Sequence, residues 1–248
     1  MLETTKNNRE KSRNHWQNRE AQHMLRDIIK AVRSGQPLQP YLYSLPMIDE
    51  ERCIFWDLQG APLQSTDLSG GDMREVMISH ADLRGADLRG ADLREASLYY
   101  ANLEGANLEG ANLEKCNVTG ANFTGANLAG ANFKNNSLFE SDLTEANLSV
   151  ADFSGCRMRH VSLIEANLFK TNFTDARLRY VKFADEEIKK AIIHNTLIRW
   201  SGSEYVAPKK MDESQMDITQ VLSPRAIEAI EELERIKTIV DPTPRSSN

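Results

Sequence analysis

Hydrophobic residues recur every five positions through the middle of the chain. From Trp56 to Asp185 the sequence divides into 26 consecutive five-residue blocks without an insertion. The third residue of each block, which we call the centre, is always apolar, and 17 of the 26 centres are leucine. The residue two places before the centre is alanine in 15 blocks. Because a helix needs an apolar period near 3.6 and a strand a period of about 2, this pattern predicts neither in its regular form.

Four five-residue blocks can close one square coil. The large centre then fills the interior, and the small residue occupies the tight inner position. Aspartate, asparagine and glycine, which recur around the centres, favour the turns that such a coil needs. Stacked coils pair their backbones as parallel strands about 4.8 Å apart, and each coil buries the face of its neighbour. With four blocks in a coil, residues n and n+20 lie on the same face.

The runs ADLRGADLRGADLRE and ANLEGANLEGANLEK resemble the pentapeptide-repeat family, whose pattern is A(D/N)LXX. The resemblance covers residues 56–185, which is about half of the chain. It implies a right-handed quadrilateral parallel β-helix. We therefore expect an all-β solenoid with α-helical N- and C-terminal flanks.

The register of four blocks per coil makes two predictions about side chains. Phe133, Phe153 and Phe173 fall in one column, so their rings should stack inside the coil. On the outside, three arginines are each followed 20 residues later by a glutamate. Since 20 residues make one coil, each arginine should lie one strand spacing from its glutamate. Cross-strand pairs of opposite charge stabilise a sheet by about 0.2–1 kcal/mol each. We favour this ladder over a phosphate-binding patch. Its pairs are Arg84 with Glu104, Arg89 with Glu109, and Arg94 with Glu114.

The N-terminal segment, residues 1–55, is expected to contain an amphipathic helix and a capping segment. Residues 16–33 place apolar side chains at three- and four-residue steps, and Gly35 and Pro37 follow as stop signals. An exposed first coil would present unpaired strand edges, which proteins normally cover. A cap on the first coil is the favoured interpretation, and a partner-binding helix is the alternative.

The C-terminal flank leaves more open. In residues 186–200, isoleucines still recur every five positions, which predicts that the β-helix extends to about residue 200. The same segment also has the pattern of a short capping helix, and the sequence does not decide between the two. A linker is expected over 201–222, a helix over 223–241 and a disordered tail over 242–248. The apolar stripe of that helix either folds back as a cap or forms a homodimer. Its candidate residues are Ile227, Ile230, Leu233 and Ile236.

Composition argues against several classes of function. The chain has 30 basic and 36 acidic residues, a net charge of -6, so no direct nucleic-acid binding is expected. No stretch approaches about 20 consecutive apolar residues, so no transmembrane helix is expected. Cys116 and Cys156 lie two coils apart at the small inner position, which is beyond disulfide reach. The polar N-terminus lacks the apolar segment of a secretory signal, and three scattered cysteines are too few for a disulfide framework, so a cytoplasmic protein is expected. The sequence shows no metal cluster, nucleophile–base pair or phosphate-binding glycine loop, so neither enzymatic activity nor a cofactor is expected.

A regular rod has flat faces rather than a cleft, which suits a protein partner better than a small substrate. Aromatic residues that interrupt the polar faces are expected to be exposed and are candidates for that contact. We therefore interpret the protein as a non-catalytic interaction scaffold with an unidentified protein partner. The candidate contact residues are Tyr99, Tyr100, Phe139, Phe169 and Tyr180.

The family resemblance implies an alternative function. Some pentapeptide-repeat proteins resemble duplex DNA in shape and charge, bind type II topoisomerases such as gyrase, and protect them from quinolones. The repeat segment carries 18 acidic and 12 basic residues, which agrees with this idea in sign. However, it lacks the loops that project from the coils in that group. The scaffold interpretation is therefore preferred.

Overall fold

A four-sided coil is the repeating unit of the protein, and each side is one five-residue block. The computed structural model describes residues 16–17, 19–36, 58–183, 185–199 and 204–206. Parallel bridges join residue n to residue n+20 on successive coils, from Pro62 with Asp82 to Asn172 with Ile192. One coil therefore takes four blocks, and the chain winds as the right-handed β-helix that the repeat predicts.

Short β-strands form on one side of the coil, which we call the strand face. Its blocks have the centres Leu58, Ile78, Leu98, Val118, Leu138, Met158, Leu178 and Ile198. The strands are β1 (Ser137–Phe139), β2 (Arg157–Arg159), β3 (Arg177–Arg179), β4 (Leu197–Arg199) and β5 (Glu204–Val206). Strands β1 to β4 pair in parallel at steps of one coil, and β5 pairs antiparallel with β4. They form one five-stranded sheet in chain order.

The centres form one continuous core along the axis of the coil. Every centre from Leu58 to Leu178 is buried, together with the alanines at the small inner position. The predicted phenylalanine column is confirmed: the ring centroids of Phe133 and Phe153 are 4.6 Å apart, and those of Phe153 and Phe173 are 5.5 Å apart. Because all three rings are fully buried, they contribute both apolar area and stacking to the C-terminal half of the coil.

Two cysteines replace the small inner residue within this core. Cys116 and Cys156 are both free and buried. Burial raises the pKa of each thiol to about 12, because the apolar surroundings disfavour the charged thiolate. The Cys156 thiol also donates to the carbonyl of Phe133 at 2.9 Å. These thiols therefore remain protonated and act as small packing residues, as the register predicts.

Each corner of the coil uses the left-handed backbone region at the residue two places after the centre. From residue 60 to residue 180 the φ angles at these positions lie between 52° and 70°. Glycine adopts this conformation without a steric penalty, which explains the glycines of the repeat. Val150, with φ 61°, is a β-branched residue in the same conformation and is therefore strained.

The register of the expected arginine–glutamate ladder is confirmed, but the expected ion pairs are wrong. The Arg84 guanidinium instead grips Asp82, two residues earlier in its own block, with Nε to Oδ1 at 2.8 Å and Nη2 to Oδ2 at 2.7 Å. This hydrogen bonding lowers the pKa of Asp82 and raises that of Arg84, to which Glu104 adds a weaker electrostatic attraction. The same fork recurs in the next two blocks, where it joins Arg89 to Asp87 and Arg94 to Asp92. Each arginine binds the aspartate of its own block rather than the glutamate one coil away, because that aspartate accepts two parallel hydrogen bonds.

Asparagine ladders replace the aspartate–arginine forks in the later coils. In one column, Asn127 Nδ2 donates to Asn107 Oδ1 at 3.2 Å, and Asn147 Nδ2 donates to Asn127 Oδ1 at 3.0 Å. Each side-chain oxygen also accepts the backbone N–H two residues onward, as Asn107 does from Glu109. An amide can donate to one neighbour and accept from the other, whereas ionised aspartates only accept, so asparagine can link successive coils.

Helix α1 (Arg19–Arg33) packs against the first coil. Leu25, Ile28 and Val32 on one side of the helix are buried in the same core as the centres. Trp16 Nε1 donates to the carbonyl of Gln59 at 2.8 Å, and Arg33 Nε donates to the carbonyl of Asp67 at 3.2 Å. These contacts cover apolar surface and backbone groups at the open end of the coil.

Gly71 makes room for this packing. It takes a position that alanine holds in most blocks, and a Cβ built there would overlap Cγ1 of Val32. We expect Gly71→Ala to lower the free energy of unfolding by about 1–3 kcal/mol, because the helix must move away from the coil. Urea unfolding would measure this loss. In a Val32→Ala background the same change should cost much less, and equal costs in the two backgrounds would contradict the contact.

The coil continues past the 26 five-residue blocks. Helix α2 (Asp185–Ile188) is one helical turn, after which Ile192 pairs with Asn172 and Leu197 pairs with Arg177, each one coil earlier. Residues 185–199 therefore contain both features that the sequence left open, a helical turn and a further coil. Three residues of the expected linker form β5, which pairs with the exposed edge of β4. The rest of that linker, the expected helix over 223–241 and the tail lie outside the described residues.

Candidate interaction face

Four of the five predicted contact residues lie on the strand face. Tyr99 is half-buried beside a centre, whereas Tyr100 and Phe139 are each 38% exposed and Tyr180 is 43% exposed. Their positions in the coil register bring them onto one flat side of the coil. The structure therefore gathers residues that are distant in the sequence onto one surface.

Phe169 is the exception, and the expectation that it is exposed is wrong. It lies two sides away from the strand face and is only 5% exposed. The residue one coil earlier in its column is Ser149, which is small and leaves space for the ring to lie against the coil. Lys170 Nζ lies 5.9 Å from the ring centroid on the outside. Phe169 is thus part of the wall and presents little surface to a partner.

A line of mostly large side chains borders the strand face at its corner, and we call it the corner ridge. It consists of His80, Tyr100, Gly120, Glu140, His160 and Tyr180. The rings of His80 and Tyr100 are stacked at 5.7 Å, and those of His160 and Tyr180 are stacked at 5.1 Å with planes only 8° apart. Between them the Tyr100 ring covers Gly120, and the Tyr100 hydroxyl donates to Glu140 at 3.5 Å. The ridge therefore spans five coil steps.

The corner ridge occupies positions where the backbone favours glycine. Tyr100, His160 and Tyr180 have φ values of 53°, 57° and 53°. The corresponding corners of the next two sides hold glycine in most of the early coils, as at Gly85 and Gly90. Large side chains in this conformation reduce stability, and such residues concentrate at functional sites. The aromatic rings at these corners therefore have a backbone cost that glycine would avoid, as do other side chains at corners, such as Glu95 and Lys115.

Four arginines form a second feature of the strand face, which we call the arginine grid. It consists of Arg157 and Arg159 on β2 and Arg177 and Arg179 on β3, all exposed. Arg157 pairs with Arg177 in the sheet register, and Arg159 pairs with Arg179. Adjacent strands lie about 4.8 Å apart and alternate residues about 6.6 Å apart. The grid therefore concentrates four positive charges next to Phe139 and Tyr180.

No ion pair joins a guanidinium of the arginine grid to any residue in the described ranges. This differs from the early coils, where Arg84, Arg89 and Arg94 are each neutralised by an aspartate. Like charges directly opposite each other destabilise a sheet. The grid thus combines electrostatic repulsion in the free protein with unsatisfied capacity to bind anions.

The sequence contains the signal for this grid, although sequence analysis missed it. The segments RMR at 157–159 and RLR at 177–179 are one coil apart. Sorting the outward residues by register would have placed the arginines and the tyrosines on one face.

Other predicted features give no further site. The candidate residues Ile227, Ile230, Leu233 and Ile236 lie outside the described residues. Within the described ranges, no three histidine, cysteine, aspartate or glutamate side chains are grouped to hold a metal ion. None of the helices in those ranges is long and apolar enough to cross a membrane.

Comparison with solved structures finds other pentapeptide repeat proteins. Rfr23 from the cyanobacterium Cyanothece 51142, a pentapeptide repeat protein, is 21% identical with a TM-score of 0.40, covering 51% of this chain and 90% of that one. HetL from the cyanobacterium Nostoc sp. strain PCC 7120 is 24% identical with a TM-score of 0.28, covering 58% and 91%. A trypsin-treated form of QnrB1, a plasmid-mediated fluoroquinolone resistance protein, is 23% identical with a TM-score of 0.41, covering 52% of this chain and 64% of that one.

A search of curated proteins finds no match to the chain. The family described as pentapeptide repeats matches in eight copies, and the matched segments together span more than half of the sequence. They are residues 57–94, 78–114, 116–155 and 146–184. The same residues form the coils, and their centres fill the core. The repeat, the coil geometry and the family match together show that this chain belongs to the pentapeptide-repeat family.

Proposed function

We propose that this protein is a non-catalytic scaffold that holds a protein partner on its strand face. The observation that carries the proposal is the corner ridge, where aromatic side chains occupy strained corner positions and remain exposed. Tyrosine, phenylalanine and arginine are among the residues enriched at protein interfaces. The strand face has all three.

The flatness of the surface supports the same assignment. A five-stranded sheet of one-block width presents an extended side rather than a cleft, and enclosed small substrates require concavity. Pentapeptide-repeat proteins are generally non-enzymatic repeat proteins that serve structural or interaction roles. A rigid side with stacked rings loses little conformational entropy on binding, which favours affinity for another rigid surface.

The alternative, a DNA-mimicking modulator of gyrase, has less support. A DNA mimic must present negative charges where a duplex has phosphates, whereas the side with most exposed aromatic surface here carries the arginine grid. In the early coils, the aspartates are neutralised by arginines. We therefore expect the protein to leave gyrase supercoiling in the presence of a quinolone unchanged, and protection in that assay would favour the alternative.

Tyr180→Gly tests the scaffold proposal with a change that should not harm the fold. Glycine suits the φ of 53°, which offsets the lost stacking with His160, so the melting temperature should stay within a few degrees. Affinity purification with full-length protein from the native organism, followed by mass spectrometry, would identify partners. We expect the partner to be lost with Tyr180→Gly.

Val150→Gly is the matched control for this experiment. It removes a side chain of similar strain, with φ 61°, from a corner two sides away. The partner should remain bound to this variant, and the melting temperature should rise or stay constant. Retention of every partner by Tyr180→Gly, or equal loss with both variants, would contradict a contact through the corner ridge.

A further inference from the structure

We infer that the arginine grid binds carboxylates of an acidic segment on the partner protein. This inference rests on the scaffold proposal and names the chemistry of the partner. The four guanidinium groups of Arg157, Arg159, Arg177 and Arg179 are exposed and in register on β2 and β3. In the described part of the chain they make no ion pair.

The repulsion within the grid argues for a bound anion. Two pairs of arginines face each other at one strand spacing, where like charges destabilise the sheet. Elsewhere on the coil, arginines are forked onto aspartates of their own blocks. In β2 and β3 the residue two places before the second arginine is another arginine, so this internal neutralisation is excluded. A carboxylate from outside would supply the missing partner.

The spacing of the grid matches an extended acidic segment. Alternate residues of a strand lie about 6.6 Å apart, which is also the spacing of Arg157 from Arg159 along β2. Two carboxylates at positions i and i+2 of a partner could therefore each meet a guanidinium. Each contact could be bidentate, and the planar fork makes arginine better suited to this than lysine. Phe139 and Tyr180 beside the grid would cover the apolar parts of that segment.

The surroundings of the grid favour a protein over a nucleic acid. Glu140 and Asp175 border the grid, and Glu145 and Glu165 lie on the corner of the neighbouring side. A phosphate backbone that continues past the grid would meet these carboxylates and be repelled, whereas a short acidic segment ends within the grid.

A labelled peptide tests the inference directly. The probe is a fluorescein-labelled peptide of about ten residues in which one Glu-Thr-Glu segment lies between uncharged threonines and serines. It is titrated with the protein at about 0.05 M ionic strength. We expect saturable binding by fluorescence anisotropy, weakened at high salt. Arg157→Gln with Arg177→Gln should weaken binding at least tenfold. The melting temperature of this variant should be unchanged or higher, because a repulsive pair is removed.

The matched control is Arg84→Gln with Arg89→Gln, which removes the same charge from arginines already paired with aspartates. It should keep the affinity of the unmodified protein. A second variant, Arg157→Lys with Arg177→Lys, keeps the charge without the fork and should bind with intermediate affinity. If one of the two grid variants failed to fold, the affinity of the other for the peptide would still test whether the grid binds it.

Three outcomes would overturn the inference. They are no saturable binding of the peptide, an equal loss of affinity in the grid and control variants, and tighter binding of a ten-nucleotide oligothymidylate than of the peptide. The last outcome would assign the grid to single-stranded nucleic acid. A purified partner that depends on Tyr180 but is unaffected by Arg157→Gln with Arg177→Gln would leave the scaffold proposal intact and remove only the carboxylate assignment.

Discussion

Leu108→Asp should lower the free energy of unfolding by about 4 kcal/mol or more, and the variant protein could fail to fold at all. Leu108 is fully buried, and the centres one coil before and after it, Leu88 and Leu128, are fully buried too. An aspartate there would place an ionised carboxylate in a narrow apolar interior. It would find neither water nor a positive partner among these leucines, so the charge has no compensation.

Glu109→Ala is the control for this prediction because it changes the adjacent residue on the outside. Glu109 Oε2 accepts from Asn127 Nδ2 at 3.3 Å, and the other N–H of that amide donates to Asn107. Asn127 is only partly buried, so the N–H released by the change can donate to water instead. We expect a cost below about 1 kcal/mol. Thermal unfolding followed by circular dichroism would compare the two variants. Similar melting temperatures would contradict the assignment of inside and outside positions.

The fold could be predicted because a single physical requirement repeats without interruption. Each block needs one large apolar residue, one small residue and a left-handed corner, and the five-residue phase holds through all 26 blocks. Once four blocks per coil are assumed, the register fixes which residues are neighbours. The stacking of Phe133, Phe153 and Phe173 follows from that register alone, and the structure confirms it.

The errors in prediction arise where a side chain has two partners within reach. The register correctly places Arg84 one coil from Glu104, but Asp82 in the same block offers two parallel hydrogen bonds. The register gives the distance between backbones, but it does not determine which carboxylate the arginine side chain binds. Phe169 shows the same limit, because the register gives its column but not whether its ring lies against the coil or points into solvent, and it is only 5% exposed.

The candidate site was predicted residue by residue rather than as a surface. The aromatic residues were chosen because they interrupt polar faces, but the register places Tyr99, Tyr100, Phe139 and Tyr180 on one side. The contact of Val32 with Gly71 is different, since it joins a coil to a helix outside the repeat. No periodicity relates those two residues, so only a structure can show the contact.

Phe153→Ala should lower the free energy of unfolding by about 3–5 kcal/mol, because it removes the middle ring of a buried stack and leaves a cavity between Phe133 and Phe173. Urea unfolding would measure this loss. In the same measurement Phe139→Ala, on the exposed strand face, should lower the free energy of unfolding by less than about 1 kcal/mol.

Hydrogen exchange adds a sharper test. Coils of a solenoid are stabilised by their nearest neighbours, so exchange should rise most at the backbone amides of residues 132–172 and least around residues 82–102. Uniform loss of protection along the coil would show that the protein unfolds as one unit and that the stack has no local role.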